Sequence, residues 1–323
     1  MVVGWGAVRD GSRREFDREL TGEKQGRSAS GASALCFLPS THDPTPVDSR
    51  ARTRIGEPRI PTWKITLEYE GTRYAGWQEQ PRERTVAGEL RGAAKRVFGE
   101  AVEIGGAGRT DAGVHALAQV AHLRAKKRPR TPRGLEIALN DGLPSDIHVL
   151  SAKSAPDRWH ARHDATLRSY IYQFSRRRSA FLKPFVWWIR EDLDLDRMRQ
   201  GAALLTGMHD FASFADLEES GDEKSTKVRV FEARLEEAGP LILFRFVASH
   251  FLRKMVRRVA GVLARVGTRA TEPGEIGMLL ASGRGNVAEW TAPPSGLFLE
   301  RVFYGPEKLP ALRPAVAGGA DQA

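Results

Sequence analysis

Hydrophobic and polar positions change their rhythm repeatedly along this chain. Trp63, Ile65, Leu67 and Tyr69 alternate with polar residues, which predicts a strand with one buried face. The period then lengthens. Val86, Leu90, Ala93, Ala94 and Val97 fall at helical spacing and predict a helix over 84–98, with Thr85 as its N-cap. Strand rhythm returns over 116–123, a short helix fits 132–140, and 147–150 reads as another strand. The second half repeats this grammar: a strand over 168–174, a helix over 195–206, and a hairpin of 228–235 with 241–247 around Ala238-Gly239-Pro240. A helix over 250–266 follows. On it Leu252, Met255, Val256, Val259, Leu263 and Val266 share one face, and Arg253, Lys254, Arg257 and Arg258 lie off it.

Strands interleaved with helices in both halves predict an α+β fold. The expected form is two similar domains, 62–160 and 161–305, with largely antiparallel mixed sheets flanked by helices and a cleft between them. Residues 1–61 sustain no period and are rich in Gly, Ser, Pro and alternating charge, so they read as a disordered N-terminal extension. Residues 306–323 read as a disordered tail. The short apolar start has no basic stretch before it, so no secretory leader is expected.

The formal net charge of +10 sharpens the picture. Residues 1–61 hold ten Arg or Lys and eight Asp or Glu, which is only +2, so the basic excess belongs to the body. That favours a phosphate-rich partner. The single cysteine, Cys36, excludes an internal disulfide framework and suits a reducing, cytoplasmic setting. No run of ~18 apolar residues exists, so no membrane-spanning helix is expected.

Candidate chemistry centres on Gly108-Arg109-Thr110-Asp111-Ala112-Gly113-Val114-His115. Asp111 sits on a loop flanked by Gly105, Gly106, Gly108 and Gly113, which permit tight turns and close approach of a large ligand. It reads either as a turn former or as a rigidly held nucleophile or general base. Arg109 can pair with it or reach a phosphate. The arginines of the 250–266 helix are either a solvated basic side or a partner for a carboxylate and for RNA backbone. Arg124, Lys126, Lys127, Arg128, Arg130 and Arg133 put six cations and no acid into ten positions, a candidate phosphate contact. Tyr170 and Tyr172 share a strand face with Arg168, and a tyrosine there can stack on an extruded base. No Gly-Lys-Ser/Thr follows the glycines and no Pro-Cys-x-x-Cys exists, so neither a P-loop nor a zinc deaminase fits. The acids at 191–196 precede a helix whose dipole they favour, and no metal is expected.

Several ordered blocks resemble the tRNA pseudouridine synthase A family over about residues 62–304. They are Tyr69-Glu70-Gly71-Thr72-Arg73-Tyr74-Ala75-Gly76-Trp77-Gln78, the Asp111 loop, Leu143-Pro144-Ser145-Asp146-Ile147, His160-Ala161-Arg162 and Ala165-Thr166-Leu167-Arg168-Ser169-Tyr170. His209-Asp210-Phe211-Ala212-Ser213-Phe214, Phe251-Leu252-Arg253-Lys254-Met255-Val256-Arg257 and Gly296-Leu297-Phe298-Leu299 complete the series. The block Ser225-Thr226-Lys227-Val228-Arg229 departs from the family's loop, lacking a basic residue directly after the serine.

The resemblance implies the pseudouridine synthase fold and isomerisation of uridines 38, 39 and 40 in the tRNA anticodon arm. It implies a homodimer that needs neither cofactor nor metal. Asp111 takes the catalytic place, Tyr170 packs on the target base, Arg257 pairs with Asp111, and Arg109 helps extrude the nucleotide. Arg168, Arg124, Lys126, Lys127, Arg253 and Arg258 join Arg109 and Tyr170 as expected RNA contacts. Whether Asp111 bonds to the ribose or removes a proton from it stays open, with attack on the uracil ring as a third version. Two competing readings remain: a non-catalytic RNA-binding protein of the same fold, and an enzyme that takes free nucleotides on the glycine loop.

Overall fold

Among the described residues ten strands join one sheet. In the computed structural model they are β1 (Thr62–Tyr69), β2 (Glu103–Gly106), β3 (His115–Arg124), β4 (Ile147–Ala155), β5 (Leu167–Ser175), β6 (Trp187–Trp188), β7 (Gly207–Asp210), β8 (Lys227–Ala238), β9 (Leu241–Ala248) and β10 (Leu297–Phe303). The structure describes residues 60–127, 131–216, 225–283, 285 and 287–316. The extension expected before residue 60, Arg128 and Arg130, and the tail from 317 lie outside the described residues.

The strand order is β4-β1-β3-β10-β5-β9-β8-β7, with β2 also on β3 and β6 also on β5. Every pairing is antiparallel except β10 with β3 and β6 with β5. The expected boundary at 160/161 falls between β4 and β5, and the strands on either side of it share this sheet. The joint is β10, the last strand in the chain, which inserts between β3 and β5. Its register lines up Ala116, Leu299, Tyr170 and Phe246 in one row across four strands. Because neighbouring strands lie about 4.8 Å apart, this insertion sets the gap between the start of β3, just after Asp111, and Tyr170 on β5.

Among the described residues five α-helices flank the sheet: α1 (Val86–Phe98), α2 (Pro132–Gly142), α3 (Leu195–Ala203), α4 (Met255–Gly267) and α5 (Glu275–Ser282). Helix α1 starts as expected, with Thr85 Oγ1 accepting the Gly88 amide, and stops at Gly99, whose left-handed backbone glycine tolerates best. α1 packs on α2, and α3 on α4.

Two expectations are corrected here. The helix predicted over 250–266 begins only at Met255, because Lys254 takes a left-handed φ of 58° and Phe251 turns to pack on Tyr170 and Phe246. Its basic side is also only partly solvated, with Arg253 exposed. Arg258 is buried, because α4 lies among α3 and the turns at 212–214 and 288–290.

The tail likewise does not leave the body at 306. Arg245 is buried against Glu300, with Nη2–Oε1 at 2.5 Å and Nε–Oε2 at 2.9 Å, and it gives a further hydrogen bond to Pro310 O at 2.9 Å. The Ala315 amide donates to Gln173 Oε1, and Leu312 packs beside Leu182, Val186, Leu241 and Leu243. Composition does not disclose such docking, since the segment is held mainly by its backbone.

Gly105 owes its place to packing, not to a ligand. A Cβ there would strike the ring of His122, which is buried and lies 4.3 Å from the ring of His160. Burial, then His160 and Arg124, push His122 down to about 4, against the opposing pull of Glu103. Its value in the unfolded chain is about 6.5, so between those values the unfolded state binds more protons. The stability this neutral histidine contributes is complete above about pH 6.5 and is lost as pH falls towards 4. Melting temperature is expected to drop across that interval, and His122→Gln to flatten the drop. An unchanged slope in the variant would clear His122 of the effect.

Candidate active site

The Asp111 loop joins β2 to β3 and rests in a cradle made by residues 69–77. The Trp77 amide donates to Thr110 O at 3.0 Å, and the Gly113 amide to Tyr74 O at 3.2 Å. Tyr69 and Thr110 share a hydroxyl–hydroxyl bond of 2.8 Å, and Gln119 Nε2, fully buried, holds Gly108 O at 3.1 Å. Burial pushes the Tyr69 phenol up to about 12, so it stays neutral and serves as a fixed hydrogen-bonding post. Gly76, at φ +102°, brings its backbone against Thr110 O, and a Cβ there would stand 2.6 Å from that oxygen. The sequence shows this glycine–tryptophan block clearly but not its task, which is to fix the loop from below.

On that loop Asp111 Oδ2 faces Arg257 Nη1 at 3.2 Å, and the two side chains are 30% and 16% exposed. Arg257 comes from α4 and is aimed by a second bond, Nε to Ala292 O at 2.8 Å. The Ala292 amide returns to Arg257 O at 3.1 Å, and Pro293 O accepts the Tyr172 hydroxyl at 2.9 Å. Segment 290–296 therefore clamps the arginine from outside the helix. Sequence reading missed this clamp, whose only prior signal was Gly296 at the head of a matched block.

Tyr170 lies buried on β5, edge-on to Phe251 at 4.9 Å between centroids. Among the described residues its hydroxyl has no hydrogen-bond partner. Burial, then the nearby Tyr69 and Asp111, push its phenol up, so it presents a neutral ring and an O–H at neutral pH. Arg109 is exposed beside Asp111 and makes no ion pair among the described residues. An ionic pair open to solvent on one side, an unengaged phenol and an exposed arginine can receive a base turned out of its stack.

The other expected RNA contacts divide. Lys126 and Lys127 are exposed and available to a phosphate. Arg168 is not, for it gives four hydrogen bonds to the carbonyls of Ala165, Ser249, Ala107 and Arg162. Only its Nε–H is left outside those bonds. Arg124 is tied to Glu103 at 2.7 Å and to Trp159 O at 3.1 Å. Arg258 is buried on Ala215 O and Asp216, and Arg253 also turns to Asp216. Arginine is drawn into such roles because its five donors can staple several carbonyls at once. Among the described residues no group of three or more His, Cys, Asp or Glu is placed to hold a metal ion. No helix among them is long and apolar enough to cross a membrane.

Comparison with known proteins places these residues in context. The family described as tRNA pseudouridine synthase matches residues 65–164 and 202–305, which takes in Arg109, Asp111 and Arg257. The tRNA pseudouridine synthase A of Methylococcus capsulatus is 39% identical over 254 residues, spanning 78% of this chain and 92% of that protein. The enzyme of the same name from Thermosipho africanus is 40% identical over 242 residues, 74% of this chain and 98% of its own length. That of Moorella thermoacetica is 40% identical over 254 residues, 76% and 100%.

Proposed function

The chain belongs to the tRNA pseudouridine synthase family, isomerases that turn uridine into pseudouridine, and we propose that it acts on positions 38, 39 and 40 of the tRNA anticodon arm with Asp111 as its catalytic carboxylate. The observation that carries this reading is the Asp111–Arg257 pair, held by two separate scaffolds and left partly open to solvent.

The reaction breaks the bond from ribose C1′ to uracil N1, turns the uracil, joins C1′ to C5, and moves the C5 proton away while N1 regains one. Positive charge gathers on the ribose as the first bond breaks, as in glycoside cleavage, and a carboxylate beside it lowers that barrier. Asp111 meets this need either by bonding to the sugar or by taking a proton from it. Arg257, anchored at Ala292 O, keeps the carboxylate aimed. Tyr170 gives the detached ring a neutral surface to turn against. Arg109 fills the place that the extruded nucleotide leaves, and Lys126 and Lys127 meet phosphates. We further propose a homodimer working in the cytoplasm, where two copies lend basic surface to one tRNA.

The test is tritium release from unmodified tRNA labelled at C5 of uridine, followed by mapping of the product. Release, with pseudouridine at 38–40, is the expected result. Release with the product elsewhere would move the site of action, and no release across a full tRNA pool would remove the isomerase reading.

A further inference from the structure

Tyr74 and Asp146 stand in two of the matched blocks, 72 residues apart, and their side chains meet: the Tyr74 hydroxyl donates to Asp146 Oδ1. Arg84 grips the same carboxylate with two prongs, Nη1 to Oδ2 at 3.1 Å and Nη2 to Oδ1 at 3.2 Å. Its guanidinium also lies 4.3 Å from the centre of the Tyr74 ring. Glu89, in the first turn of α1, fixes Arg84 in turn, Nε to Oε1 at 2.9 Å. Asp146 is 16% exposed, and hydrogen bonds to a part-buried carboxylate are of the stronger kind. Against burial, the Tyr74 hydroxyl and the Arg84 guanidinium hold the Asp146 carboxyl below its ordinary value, so at neutral pH it is ionised and only accepts.

The main chain around Tyr74 carries this hold to the Asp111 loop. Turn 70–75 is tied to the ion-pair group, for the Glu70 amide donates to Asp146 O at 3.0 Å and the Ala75 amide to Arg84 O at 2.9 Å. It is tied to the loop as well. Tyr74 O accepts the Gly113 amide at 3.2 Å, and the Gly71 amide donates to His115 Nδ1 at 3.0 Å. Gly71 lies so close that a Cβ there would stand 2.0 Å from Val114 O. A Cβ at Gly113 would come within 2.9 Å of Pro294, in the segment that clamps Arg257. The glycine two places after Asp111 therefore touches both the turn and the clamp.

We propose that Asp146 is a positioning residue for Asp111: with Arg84 it holds the Tyr74 side chain, and the Tyr74 carbonyl holds Gly113, which sets the place of the Asp111 carboxylate against Arg257. The inference rests on the reading of Asp111 as the catalytic carboxylate. Asp146 touches no reacting atom. One carboxylate–arginine pair thus places another, and a tyrosine and a glycine join the two. Without the Tyr74 hydroxyl or the Asp146 carboxylate the ring loses its anchor, and its carbonyl loses its aim at Gly113. The remaining bonds of Glu70, Gly71 and Ala75 keep the turn in place, which limits the movement to a fraction of an ångström. The rate loss is correspondingly smaller than the roughly 10²-fold of a full 1 Å displacement.

Tritium release and tRNA binding by the full chain, together with hydrogen exchange at the Gly113 amide, test it at a temperature well below every variant's Tm. Tyr74→Phe and Asp146→Ala are each expected to lower kcat about tenfold and to leave the Kd for tRNA within about twofold. Each is expected to speed exchange at Gly113 by about tenfold. Because both act through one link, the double variant is expected to lose no more than about twice what either loses alone. Tyr74→Phe, which keeps the ring, carries the test if Asp146→Ala does not fold. Asn140→Ala is the control. Asn140 bonds the Val149 amide at 2.7 Å and the Val149 carbonyl at 3.0 Å on β4, just after Asp146. Its loss is expected to lower Tm while kcat and Gly113 exchange stay at wild-type values. The proposal fails if Tyr74→Phe keeps the wild-type kcat or Gly113 exchange, if the two losses multiply in the double variant, or if Asn140→Ala reproduces them. Faster Gly113 exchange in a chain that frees no tritium would overturn the isomerase reading and leave the hold on the loop standing. Tritium release that neither variant lowers would overturn the positioning role alone.

Discussion

Asp111→Ala is expected to lower tritium release from C5-labelled tRNA by at least about 10⁴-fold, the scale of losing a group that acts directly on the reacting atoms. Affinity for tRNA is expected to stay within about threefold. Both halves follow from how the loop is built. Its path depends on main-chain contacts and on neighbours of Asp111: Thr110 O with Trp77, Gly113 with Tyr74, Gly108 O with Gln119, and the Asp111 carbonyl with the Val114 amide. Among the described residues the Asp111 side chain meets only Arg257, which keeps its bond to Ala292 O when the carboxylate is gone. The loop therefore survives while its charge disappears. A non-catalytic RNA-binding protein of this fold would bind equally with either residue and release nothing with either. Release by the variant within about tenfold of wild type would retain the enzyme and reassign Asp111.

Local features of this site were legible because local sequence dictates them. The Thr85 cap, the alternation of β1 and the glycine-bounded Asp111 loop each answer to a few neighbouring residues. The insertion of β10 between β3 and β5 was not legible, since its seven residues carry no mark of the partners they find more than a hundred residues earlier. That insertion sets the spacing between the Asp111 loop and Tyr170.

The arginines mislead for a related reason. A basic residue off an apolar stripe looks solvated, yet Arg258 and Arg168 reach inward to carbonyls that no periodicity can foresee. Glycine was ambiguous in the same way. Gly106 is pressed on Trp77, whereas Gly108 has open space before it, and both look alike in sequence. Charge and turn chemistry thus single out the candidate site, and which cations are tied into the scaffold is fixed only by tertiary packing.

Gly261→Ala tests how tightly the clamp on Arg257 is set, and here two effects oppose each other. Gly261 lies inside α4, where alanine is the better helix former by about 1 kcal/mol. A Cβ at that position, however, falls within the van der Waals sphere of the Trp290 carbonyl oxygen. Segment 290–293 must then retreat by about 2 Å before ordinary contact returns. Such a movement strains the Arg257–Ala292 pair of hydrogen bonds and the bond from Tyr172 to Pro293 O. Overpacking at about 1–3 kcal/mol, with about 1 kcal/mol for each hydrogen bond lost, outweighs the gain in propensity. The variant is expected to be about 3 kcal/mol less stable, a fall of roughly 6–12 °C in Tm. Its kcat is expected to drop about 10²-fold, as for a misplacement of about 1 Å at a reaction centre, with tRNA affinity little changed because the exposed Lys126 and Lys127 lie outside the displaced segment. Gly92→Ala in α1 supplies the contrast. There a Cβ meets only the end of the Arg96 side chain at 3.6 Å, so propensity wins and stability is expected to rise by up to about 1 kcal/mol. If both variants gain stability and keep full activity, segment 290–293 does not aim Arg257, and the Asp111–Arg257 pair is positioned by α4 alone.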